Sequence, residues 1–149
     1  MSKFAAIRLF PILATLALSF ILSGVAHADQ RCRDVLFTII NNFTDAEGIP
    51  RDIRLTRIFY RDLEDFRTRT EQIPNFRLDP GESVNREETL EFVGNEEIGQ
   101  MTVEFRARLP RPGNPGRFRW SNRLQSNPIQ GPNPCRRFTQ IEFDITEGN

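Results

Sequence analysis

Residues 101–109 read MTVEFRARL. Met101, Val103, Phe105, Ala107 and Leu109 fall on one side of an extended chain, and Thr102, Glu104, Arg106 and Arg108 on the other. Side chains alternate across a strand, so one apolar set and one polar set describe a sheet with a buried face and a wet face. Residues 139–146, TQIEFDIT, repeat the pattern with Ile141, Phe143 and Ile145 inward and Gln140, Glu142 and Asp144 outward. Phe105, Ile141 and Phe143 are therefore expected in the core.

Outward from these two segments the chain stays strand-like. DVLFTII (34–40) is apolar on both faces and reads as a more covered strand. DIRLTRIFY (52–60) begins with Ile53 and Leu55 on the inner side and ends with Ile58 and Tyr60 there, a change of face that calls for a bulge near Thr56 or Arg57. NFRL (75–78) is a short strand closed by DPGE (79–82), whose central proline and glycine specify a type II turn. SVNREETLEFV (83–93) is expected to pass through GNEEIG (94–99) into the strand at 101 as a hairpin. YRDLEDFRTRT (60–70) has room for one helical turn, and no stretch carries an amphipathic helix. PRPGNPG (110–116) and SNPIQGPNP (126–134) read as loops, because proline and glycine break helix and ladder alike.

Turn signals every eight to twelve residues favour many short strands. The expected fold is all-β: a two-sheet antiparallel β-sandwich, immunoglobulin-like in architecture, of about seven or eight short strands with one disulfide. Cys32 and Cys135 each lie just before a strand, so a bridge between them suits first and last strands that run parallel.

The first 28 residues are read as a bacterial-type signal peptide. Lys3 and Arg8 precede the uncharged apolar run LFPILATLALSFIL (9–22), and Ala26-His27-Ala28 supplies small residues for cleavage after Ala28. Residues 29–149 then form a single domain with no stable membrane anchor, periplasmic or secreted. Nothing around Cys32 resembles a lipoprotein site. An exported chain with two cysteines is expected to pair them, and Cys32–Cys135 is the one pairing available.

Composition then narrows the chemistry. Beyond residue 28 there is no lysine, and His27, the one histidine, leaves with the leader. Ser–His, Cys–His and Schiff-base arrangements have no material, and zinc and copper lose their usual ligands. No glycine-rich phosphate loop or nucleotide fingerprint appears, so no cofactor is expected. A carboxylate pair of the glycosidase kind is the remaining catalytic option among the 20 acidic residues. NNFTDAEG (41–48) offers Asn42, Asp45 and Glu47 as a weak calcium candidate, off the EF-hand spacing, with turn formation as the simpler reading.

Arginine carries the rest of the signal. Loss of Lys3 and Arg8 takes the formal charge from 0 to −2, a balance that gives no long-range attraction for nucleic acid. Arg106 and Arg108, and Arg117 and Arg119, are spaced to place guanidinium pairs about 7 Å apart on one side of a strand. Together they form a candidate arginine face suited to carboxylates, phosphates and sulfates. The alternative is a solvated surface paired with Glu88, Glu91, Glu104 and Glu142. In GRFRW (116–120), alternation separates Phe118 and Trp120 from Arg117 and Arg119, so Trp120 is expected in the core and the arginines in solvent, paired with acids. A base-stacking platform needs rings and charge on one side, so no nucleic acid is expected as partner. The expected function is an exported, non-catalytic domain binding a protein or cell-envelope component. The alternatives are a carboxylate-based glycan hydrolase or a small glycan-binding module.

Overall fold

Strand β5 (Ile98–Arg111) organises the larger of two sheets. The structure, a computed structural model, describes residues 32–90 and 97–148. The expected signal peptide and its cleavage site lie outside the described residues, as does Glu91. Among the described residues there is no helix. The other strands are β1 (Val35–Asn41), β2 (Ile53–Asp62), β3 (Thr68–Leu78), β4 (Ser83–Glu88), β6 (Asn114–Trp120), β7 (Leu124–Gln125), β8 (Ile129–Gln130) and β9 (Gln140–Ile145).

The smaller sheet has the order β4-β1-β9, with β1 and β9 parallel. The larger runs β3-β2-β5-β6, and β7 and β8 also pair with β5. Residues 83–88 therefore do not form a hairpin with β5. They pair antiparallel with β1, with Val84 opposite Ile39. The Asp79–Glu82 turn delivers them there: Gly81 takes φ 78° and donates its N–H to the Asn41 carbonyl, as a proline–glycine turn permits. NFRL is the end of a long strand, β3, and residues 63–67 make the turn from β2 to β3 where a helical turn had room.

β5 is bordered on one side by β2, whose register shifts between Leu55 and Arg57. That bulge exchanges the inward set, and Ile53, Leu55, Ile58 and Tyr60 are all buried. Along its other side the chain returns in three pieces, β6, β7 and β8. The stretch 110–116 is not a loop: β5 and β6 continue through it and meet at Pro112-Gly113, where Gly113 takes φ 74°. Where the returning strand breaks, serines replace the ladder. Ser121 Oγ accepts from Ala107 N and Ser126 Oγ from Val103 N, both at 3.0 Å. Each hydroxyl donates onward to the carbonyl of the following asparagine, Asn122 or Asn127. The buried amides of β5 thus stay satisfied across both breaks.

The core is one cluster of side chains drawn from both sheets, in which Phe105, Ile141 and Phe143 are buried as expected. Phe37 and Phe143 stack across β1 and β9 with centroids 6.2 Å apart. Cys32 and Cys135 are joined, both wholly buried, and tie the start of β1 to the approach to β9. Such a bond belongs to an oxidising environment. No helix among the described residues is long and apolar enough to cross a membrane.

One buried polar residue joins the sheets. Asn41, at the end of β1, donates from Nδ2 to the carbonyls of Arg51 (2.9 Å) and Leu78 (3.0 Å) and accepts from Phe43 N (3.1 Å). It therefore holds β1 against the end of β3 and the approach to β2. Asn41→Ala should cost roughly 2–3 kcal/mol, because it strands buried backbone groups as well as losing the bonds. Urea titration measures this, and a loss below about 1 kcal/mol, the scale of surface changes, would show that Asn41 is not a clamp.

Candidate functional site

Strand register decides which side chains share the outward face of the larger sheet. Directly opposed residues of an antiparallel pair point the same way. Arg54 of β2 lies opposite Arg77 of β3 and Arg106 of β5, and Arg108 lies opposite Trp120 of β6. Pro110 lies opposite Phe118. Arg54, Arg77, Arg106, Arg108, Trp120 and Phe118 therefore stand on one face, with Arg57 and Arg61 further along β2.

Register divides the candidate arginine face, although Arg108, Arg117 and Arg119 all border one cavity of about 360 Å³ at the β5–β6 edge. Leu109, not Arg108, lies opposite Arg119, so Arg117 and Arg119 point to the other side of β6 from Arg106 and Arg108. Arg117 and Arg119 are exposed, but no carboxylate pairs with either among the described residues. Trp120 is half-buried on the outward face and Phe118 is 42% exposed, so neither ring enters the core. Within β6 the rings and guanidiniums are separated as expected. Across strands they are not: Arg54 Cζ sits 4.4 Å from the Trp120 centroid and Arg108 Cζ 4.8 Å from that of Phe118. Each such cation–ring contact adds about 0.5–1 kcal/mol at an exposed site.

The acids on this face are few and already engaged. Asp52 Oδ2 takes both Arg77 (2.7 Å) and Arg108 (3.1 Å). Glu104, covered although it points outward, accepts from Thr56 Oγ1 at 2.7 Å and lies between Arg57 (3.8 Å) and Arg123 (3.7 Å). Of the four glutamates expected to pair with arginine, Glu104 does so across strands. Glu88 instead meets Arg86 within its own strand, and Glu142 is exposed. Arg54 and Arg106 stand between these groups with no carboxylate partner among the described residues. Arg54 Nε is shielded from solvent and makes no hydrogen bond. Beside it opens a cleft of about 280 Å³ lined by Arg54, Thr56, Asn75, Arg106 and Arg123.

The outward face of the smaller sheet has the opposite sign. Leu36 lies between Glu87 and Gln140, Thr38 between Asn85 and Glu142, and Ile40 between Ser83 and Asp144. A chain with near-zero net charge is thus divided into a basic and an acidic face. Net charge alone concealed a local field of this kind, which low-dielectric walls concentrate.

The calcium candidate does not assemble. Asp45 Oδ1 accepts from Glu47 N (3.1 Å) and Ile49 N (2.9 Å), and Oδ2 accepts from Arg51 Nε at 2.6 Å. Burial raises the Asp45 pKa, but those amide bonds and the Arg51 charge outweigh it and hold the carboxyl below its ordinary value. Asn42 Nδ2 donates instead to Asp144 Oδ1 at 2.8 Å, and Glu47 is exposed. The loop uses its oxygens to fold itself. Among the described residues no group of three acidic, histidine or cysteine side chains gathers around one point.

Comparison with protein-family models, curated proteins and solved structures found no match.

Proposed function

We propose that this chain is an exported, non-catalytic binding domain, a β-sandwich of immunoglobulin-like architecture released to the periplasm or beyond. Its outward face on β3-β2-β5-β6 binds a protein or other component of the cell envelope through negative charge on that component. The observation that carries this reading is the excess of arginine over acid on one sheet face, with Arg54 and Arg108 placed over aromatic rings. Like charges opposed across a sheet destabilise it, so Arg54 between Arg77 and Arg106 is a cost that folding alone does not explain.

Retention of the disulfide-bonded protein on washed cell envelopes tests the proposal. Binding should be strong at low salt and weak at high salt, since exposed charge pairs are screened. Arg61→Gln/Arg108→Gln should weaken it several-fold, whereas Arg117→Gln/Arg119→Gln, an equal loss of charge off the face, should not. Equal weakening by both double variants would reduce the effect to net charge. Stronger retention on single-stranded oligonucleotide than on envelopes would overturn the class of partner.

A further inference from the structure

Resting on the reading of this face as an anion-binding surface, we propose that the cleft between Arg54, Arg106 and Arg123 is a discrete site for a phosphate monoester. Three features of the cleft lead there. Arg54 and Arg106 lie directly opposite one another on β2 and β5, without a carboxylate between them among the described residues. Arg123 reaches the same cleft from the segment after β6, with Glu104 at 3.7 Å as its partner. Thr56 and Asn75 complete the lining with a hydroxyl and an amide.

Two guanidiniums of the cleft, Arg54 and Arg106, have no carboxylate partner among the described residues. Asp52 meets Arg77 and Arg108, Asp79 also meets Arg77, and Glu104 lies between Arg57 and Arg123, so three carboxylates already face four guanidiniums and none is spare for Arg54 or Arg106. A carboxylate carries one charge and a sulfate ester one, whereas a phosphate monoester carries about −1.5 to −2 at neutral pH and offers three acceptor oxygens. The planar guanidinium suits those oxygens in paired hydrogen bonds. Arg54 Cζ lies over the Trp120 ring, so the ring acts through the arginine and not as a surface for the ligand. At about 280 Å³ the cleft exceeds a bare phosphate and leaves room for the first atoms of the esterified group.

Calorimetric titration of the disulfide-bonded protein with glycerol 3-phosphate, inorganic phosphate and acetate tests this, with Trp120 fluorescence as a second readout. Glycerol 3-phosphate should bind one to one, at least about tenfold tighter than acetate, and change the Trp120 emission. Arg106→Gln should weaken it about tenfold or more, and Arg61→Gln, outside the cleft, should not. Arg106→Gln should melt no lower than the parent, because it removes a like-charge pair, so lost binding cannot be ascribed to unfolding. Inorganic phosphate binding as tightly as the ester would support the phosphate site and assign it to the free ion. Acetate binding as tightly as the ester, or equal losses in Arg106→Gln and Arg61→Gln, would overturn the site while leaving charge-based binding by the face intact. Absence of binding to these anions together with salt-insensitive envelope retention would overturn both.

Discussion

Phe105→Ala should destabilise the domain by roughly 3–5 kcal/mol, the range for deleting a large ring from a packed core. The ring is fully buried. Across the ladders it lies opposite Leu55 on one side and Leu124 on the other. Phe43 meets it edge to face at 5.3 Å. Gly148 packs so closely that a Cβ there would come within 2.8 Å of Phe105 Cζ. Contacts from both sides of β5 and from the chain beyond β9 would lose their partner together. Backbone hydrogen bonding around β5 also restrains collapse into the cavity. Since single domains are stable by only about 5–15 kcal/mol, the variant should sit near its unfolding midpoint in modest denaturant. Equilibrium urea unfolding followed by circular dichroism gives the number. A loss under about 1 kcal/mol would place Phe105 outside the core.

Removing the Cys32–Cys135 bridge is expected to cost about 2–5 kcal/mol. The two residues are 103 apart in sequence, so the bond restricts nearly the whole described chain when unfolded. On the chain-entropy account a loop of about 100 residues contributes about 4.7 kcal/mol. In the folded state the bond also holds the segment that carries β9 to β1, and the Cys32 carbonyl accepts from Leu90 N at 3.0 Å. Comparing the oxidised protein with Cys32→Ala/Cys135→Ala by urea titration measures the difference. Thiol labelling in denaturant without reductant should find no free sulfur, and stoichiometric labelling of the parent would refute the bridge.

Local signals in the sequence described local structure well. The change of face in DIRLTRIFY located the bulge at Leu55/Arg57, and Pro80-Gly81 located a tight turn. The cysteine positions led to the parallel pairing of β1 and β9. Pro112-Gly113 carries the same signal as Pro80-Gly81, and the prolines around it hid a hairpin. The repeated Ser-Asn at 121–122 and 126–127 was likewise available and marks both breaks beside β5. The partner of β4 and the neighbours of Trp120 could not be read in this way. Both depend on cross-strand register, which brings Arg54 to Trp120 from 66 positions away. A face built by four strands is not a property of any one of them. Asn41 escaped for a related reason: its burial depends on the distant carbonyl of Leu78.

The parallel pairing of β1 with β9 also settles how the molecule would carry mechanical load. Without the bridge, tension applied ahead of Cys32 and behind β9 would run along both strands in opposite directions. Their ladder, from Leu36 opposite Gln140 to Asn41 opposite Ile145, would then be sheared as a unit instead of unzipped one bond at a time. The covalent bond between Cys32 and Cys135 diverts that tension past everything between them. At roughly 3.3–3.6 Å per extended residue, the segment from 136 to 148 could lengthen to only about 45 Å. In its oxidised form the domain would behave under pull as a short, stiff link, with the arginine face kept in shape inside the shielded loop.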